Sequence, residues 1–269
     1  MMQPKSLDTV LKLASEAVER KETVSIPLLR INATIGEGEK VRSLVLSGKV
    51  VARQPDLLRM KISKANHHLA SMVVNGHKAS IYFPRTNKVF ETEINKSTVE
   101  EEGGIDIVAR AFEMSLIFLK GPFPEYPLRR YRVIGTRKGM YVYRAEIPGG
   151  TLTLYVDSRS CHVLKRVYVL QGKKHEWAVK IEFSKYEITP PRSVFPRKAV
   201  LTVSRKGDDE VFFRAEMFCS RISFNKKVAD KAFISEWPEH AEVITNLPSD
   251  PEELFGSLKD EREDVGNGE

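Results

Sequence analysis

Two cysteines in 269 residues cannot form the disulfide framework on which small extracellular domains depend. Cys161 and Cys219 allow one bridge or two free thiols, and neither sits in a C-x-x-C or a zinc-ligand spacing. Long apolar runs are also missing. The longest, near 105–119, is broken by Arg110 and Glu113 and stays short of the ~18 residues a membrane helix needs. The 16 glycines and 14 prolines are ordinary and exclude a collagen-like or low-complexity chain. Met1-Met2-Gln3 opens with no basic stretch followed by an apolar one, unlike a secretory signal, and taken literally this predicts a cytoplasmic protein.

Catalytic motifs are absent as well. There is no H-E-x-x-H, no G-x-S-x-G and no Walker loop. Gly36-Glu37-Gly38 lacks the third glycine and the following helix of a dinucleotide loop, and reads as a turn. His67 and His68 adjoin on a strand, so they point to opposite faces and cannot share a metal. The acidic runs Glu100-Glu101-Glu102 and Asp208-Asp209-Glu210 read as a solvated loop and a hairpin turn. No nucleophile, base and oxyanion site assemble, so neither an enzyme nor a cofactor is expected.

What is present is a basic, one-faced β chain. Hydrophobic residues make up 41% of it, enough to build a core and to exclude wholesale disorder. Forty-three Lys and Arg against 36 Asp and Glu give a net charge of +7. The last 22 residues, from Pro248, hold eight acids and two bases, a net −6, which leaves +13 on residues 1–247. The tail 248–269 is expected to be disordered, and residues 1–247 to form a single domain. A basic body suits an anionic partner such as a membrane surface, an acidic protein or nucleic acid, or simply a solvated β surface. Arg129-Arg130-Tyr131-Arg132 is the best nucleic-acid stretch, but it reads better as the start of a basic strand.

Ser6–Arg20 reads as an amphipathic helix. Leu7, Val10, Leu11, Ala14 and Val18 form one stripe, and Ser6 can cap it. Period two then takes over. Leu44, Leu46, Gly48, Val50 and Ala52 share one strand face, and Leu58, Met60 and Ile62 share another. Asn75-Gly76 predicts a two-residue hairpin turn, with Val74 facing His77 and Met72 facing Ala79. The four-residue turn Pro84–Asn87 then sets Ile81 opposite Phe90. One face thus carries Ala70, Met72, Val74, Ala79, Ile81, Phe83 and Phe90. Residues 105–119, with Phe112 and Leu116 on one face, predict a nearly all-apolar helix that must be covered on most sides. Beyond it β resumes: Arg130–Ile134, Gly139–Ile147, Thr151–Val156, Cys161–Leu170, Glu176–Tyr186, Lys198–Ser204 and Glu210–Phe224. In Glu176–Tyr186, Trp177, Val179, Ile181 and Phe183 take one side. About twelve strands joined by short turns predict a mainly β, α+β fold: a large antiparallel sheet whose apolar face is covered by helices.

Three stretches, in order along the chain, resemble the LolA/LolB-like lipoprotein carriers. The first is Gly48–Arg59, with a glycine, a strand, the turn proline Pro55 and the apolar pair Leu57-Leu58. The second is Leu69–Ile94, with Asn75-Gly76, the aromatic strand Ile81-Tyr82-Phe83-Pro84 and Asn87. The third is Ala229–Ile234 with Pro238 and Val243. The family has an arginine just before the turn proline; here that position is Gln54, and Arg53 lies one residue earlier on the opposite face. The stretch 190–218, with Pro190-Pro191, reads as an added hairpin.

The resemblance implies an unclosed, curved half-barrel with helices over its concave face. It also implies a non-enzymatic role: holding the acyl chains of a lipoprotein or lipid between sheet and helices, in the periplasm or at the outer membrane. A leader upstream of Met1 is then expected. A monomer is expected, with an acylated lipoprotein or lipid as ligand, contact with the membrane surface or envelope proteins, and no nucleic acid. The alternative is an envelope sensor on the same fold that binds a protein partner. The face-consistent lipid-binding candidates are Leu44, Leu46, Val50, Leu58, Met60, Met72, Ile81, Phe83, Phe90, Phe112, Leu116, Trp177, Val179, Ile181 and Phe183. The competing assignment for each is a filled core.

Overall fold

A computed structural model describes residues 6–19, 22–35, 42–76, 78–93, 121, 127–147, 149–171, 176–189, 193–207 and 211–245. The expected helix at 105–119 and the acidic tail 248–269 lie outside the described residues.

Helix α1 spans Leu7–Glu19. Its first turn closes through the Val10 amide, which donates to the Ser6 carbonyl, while the Ser6 and Thr9 hydroxyls bond each other. Val10, Leu11 and Ala14, at helical spacing, are its buried side chains. The strands that follow are β1 Thr23–Ile35, β2 Arg42–Arg53, β3 Leu57–Lys64, β4 His67–Asn75, β5 Lys78–Phe83 and β6 Lys88–Glu93. After a short 3-10 turn at Leu128–Arg130 come β7 Arg132–Arg137, β8 Met140–Ile147, β9 Gly150–Asp157, β10 Val163–Gln171 and β11 Glu176–Thr189. Next are β12 Ser193–Arg205, β13 Val211–Cys219, the two-residue β14 Ser223–Phe224, and, after a second 3-10 turn at Asp230–Phe233, β15 Glu242–Ile244.

All fifteen described strands belong to one open sheet, against the twelve expected. Its order is β15-β6-β5-β4-β3-β2-β1-β13-β12-β11-β10-β9-β8-β7, with β14 paired to β1. The sheet is antiparallel except for the parallel pair β15–β6, so it is mixed. Consecutive antiparallel strands need only tight turns, which the sequence supplies. Two arms, β2–β6 and β7–β12, are joined where β1 meets β13, Ile31 lying opposite Met217. The stretch read as an added hairpin therefore forms β12 and β13 near the centre of the sheet. β12 pairs with β11 on one edge and β13 on the other, and its side chains alternate in burial because successive residues point to opposite faces of the sheet.

The first hairpin turns one residue later than expected. Asn75 stays in the ladder opposite Lys78, Gly76 takes φ +62°, and Met72 lies opposite Ile81 in place of Ala79. Partners move by two positions, so each side chain keeps its face. The second hairpin has the expected register, with Ile81 opposite Phe90. Cys161 and Cys219 are both buried free thiols and form no bridge. Among the described residues one α-helix, α1, lies on the sheet, touching β9 and β12, and the second expected helix, 105–119, falls outside them.

The face beneath α1, here the inner face, carries one continuous apolar cluster. On the outer face Leu69 and Val73 of β4 and Val89 of β6 are buried. The C-terminal segment 226–245 covers them. The Thr23 hydroxyl donates to the Lys226 carbonyl, and the Arg59 guanidinium to the Ala232 carbonyl. Farther along, the Asn87 amide donates to the His240 carbonyl. Arg53 points to this outer side, 2.7 Å from Asp230 and over the buried ring of Phe233.

Candidate functional site

Register places the candidate residues. Ile26, Val50, Met60, Met72, Ile81 and Phe90 are successive cross-strand partners and make one apolar row from β1 to β6. Ala52, Leu58, Val74 and Ala79 make the next row, and Phe83 follows Ile81 on the same side of β5. A third row crosses eight strands, from β2 through the β1–β13 junction to β8: Leu44, Ala33, Ala215, Leu201, Ile181, Arg166, Leu154 and Tyr143. Phe183 and Val179 flank Ile181 along β11 on the same face, and Trp177 ends that face at the edge of Phe212.

Thirteen of the fifteen candidates thus share the inner face and its single cluster, Leu44 and Leu46 half-buried and the other eleven buried. Phe112 and Leu116 lie outside the described residues. Burying each large apolar side chain on this face contributes ~1.5–3 kcal/mol. The inner face is therefore the core of the fold.

A groove of about 540 Å³ opens on the outer face, lined by Arg30, Lys185, Lys198, Glu216, Phe218 and Val45 among others. Of the candidates only Leu46 reaches it. Lys198 and Glu216 pair at 2.7 Å across its floor, and that charged lining does not suit an acyl chain.

The sequence did not single out the polar residues of the inner face. Arg166 is only 3% exposed, although its neighbours in the row are Ile181 and Leu154. Its guanidinium donates to the Tyr168 hydroxyl at 3.0 Å and to the Gly121 carbonyl at 3.3 Å, and lies 5.2 Å from the centre of the Phe183 ring. Its Nε, also buried, has no acceptor among the described residues. Burial pushes the Tyr143 hydroxyl well above the ordinary phenol range, and Tyr141, the Asp8 carboxylate of α1 and Cys161 add to the effect. The Tyr186 hydroxyl, raised by burial against the pull of Arg166, donates to the Val163 carbonyl. Both phenols keep their protons, and the Tyr186 hydroxyl donates, so the face holds polar groups inside an apolar layer.

No helix among the described residues is long and apolar enough to cross a membrane. No protein-family model and no curated protein sequence matches the chain. Solved structures do. A LolA superfamily protein from Nitrosomonas europaea superposes with a TM-score of 0.58 at 10% identity, covering 86% of this chain and 98% of that one. A domain named for outer membrane lipoprotein sorting, from Vibrio parahaemolyticus, gives 0.52 at 12% identity, over 83% and 95%. A DUF1329 family protein from Desulfovibrio piger gives 0.53 at 13% identity, over 85% and 97%. An open sheet with one apolar face, matched over nearly the full length of these proteins, makes this chain LolA-like in fold.

Proposed function

We propose that this chain is a non-enzymatic carrier or receptor that shields the acyl chains of a lipoprotein or lipid against the inner face of its sheet. It acts in the periplasm or at the outer membrane, as a monomer. The observation that carries the proposal is the apolar inner face, one cluster running from Phe90 on β6 to Tyr143 on β8 with α1 laid on it and Arg166 set into it. An acyl chain gains ~0.8 kcal/mol per buried methylene, so contact with that face alone drives binding. The fold neighbours support the same reading, one of them being named for lipoprotein sorting.

Thirteen inner-face residues, from Leu44 to Phe183, are the proposed acyl contacts, and Phe112 and Leu116 complete the set. Native mass spectrometry of freshly purified protein tests the proposal. Retained acyl-bearing mass, or uptake of added lipid at one to one, is expected. A bare chain that takes up neither fatty acid nor lipopeptide would overturn it.

A further inference from the structure

Arg166 is the one cation of the inner face's eight-strand row, and no carboxylate pairs with it among the described residues. Its acceptors are both neutral, a phenol oxygen and the Gly121 carbonyl, the latter at a long 3.3 Å. A buried guanidinium held by neutral acceptors has lost its hydration and gained no counter-charge, an arrangement that folding alone disfavours. Leu or Met would fill the same place in the row at less cost. The ring of Phe183 and the hydroxyl of Tyr168 hold the planar fork in place. A preorganised fork of this kind matches a carboxylate or phosphate through two parallel hydrogen bonds.

Resting on the carrier reading, we propose that Arg166 anchors the anionic end group, a carboxylate or a phosphate, of an acyl ligand whose chain lies along the inner face. The oxyanion takes the place of the Gly121 carbonyl on Nη2 and gives Nε its missing acceptor. The ligand class is then a free fatty acid or a lipid phosphate, and neutral acyl esters are the poorer cargo.

The test titrates the full chain with hexadecanoate, hexadecyl phosphate and methyl hexadecanoate. In the wild type at least one anion is expected to bind about ten- to a hundredfold tighter than the ester. Whichever anion leads identifies the end group. Arg166→Met should bring the anions down to the ester's affinity and leave the ester itself within about twofold. Arg166→Lys, which keeps the charge without the fork, should fall between. The wild-type comparison stands even if a variant fails to fold. Equal wild-type affinity for all three ligands overturns the anchor and leaves the carrier reading intact. Binding of none of them withdraws the carrier reading and the anchor with it.

Discussion

Tyr82 on β5 stacks against Trp237 of the C-terminal segment, ring centroids 5.5 Å apart and planes 26° from parallel. This contact, with Arg53–Asp230 and the β15–β6 pairing, fastens residues 226–245 to the outer face. The segment therefore covers Leu69, Val73 and Val89 on the outer side of β4–β6. Trp237→Ala is expected to cost ~1–3 kcal/mol, and the Tyr82/Trp237 double-mutant cycle should return a coupling of ~0.5–1.5 kcal/mol. Urea denaturation of the four proteins measures it, and additive costs would mean that the stack contributes nothing.

The central position of β12 gives a second expectation. Leu201 is fully buried between Ile181 and Ala215, so Leu201→Ala should cost ~2–5 kcal/mol. Val45, 70% exposed on β2, provides the contrast: Val45→Ala should stay within ~0.5 kcal/mol. Comparable thermal shifts in the two variants would contradict the placement of β12 in the middle of the sheet.

The turn after β9 is held by Asp157. Its carboxylate accepts hydrogen bonds from the Ser160 amide at 2.7 Å, the Ser160 hydroxyl at 2.8 Å and the Arg159 amide at 3.1 Å. Burial opposes its ionisation, but these donors, with His162 nearby, outweigh it and hold the carboxyl below its ordinary range. The folded state thus binds this proton more weakly than the unfolded state. The stabilisation is complete above the unfolded carboxyl value near ~3.9 and is lost as pH falls through the lower folded value. Asp157→Ala should cost ~1–2 kcal/mol at neutral pH, with the gap to wild type closing in acid. A gap that stays constant in denaturant melts from neutral pH down to about pH 3 would rule out the charged turn.

The two thiols should be silent in the native state. Burial pushes the Cys219 thiol up to about 12, against the opposing pull of Arg197. Cys161 is buried as well. Thiolate is the reactive form, so a chromogenic disulfide reagent at mildly alkaline pH is expected to label neither thiol until denaturant is added, and then both. Fast labelling of either native thiol would place it at the surface.

Much of this protein was legible in its sequence, because side-chain alternation is a local property. Trp177, Val179, Ile181 and Phe183 share a face for the same reason that Val10, Leu11 and Ala14 share a helix stripe. Local periodicity thus determined the existence of most strands, the N-terminal helix and the membership of the inner face.

Only the tertiary structure decided three things. The pairing of β1 with β13 joins the two arms over a sequence separation that no turn chemistry announces. The burial of Leu69, Val73 and Val89 on the opposite face follows from a segment more than a hundred residues later folding back over them. The third is the place of Arg166. Alternation begun at Val163 puts Lys165, Val167 and Val169 inside. A register shift between Val163 and Lys165 reverses the faces and turns Arg166 and Tyr168 inward. A bulge depends on how two strands fit each other, so one strand's sequence does not encode it.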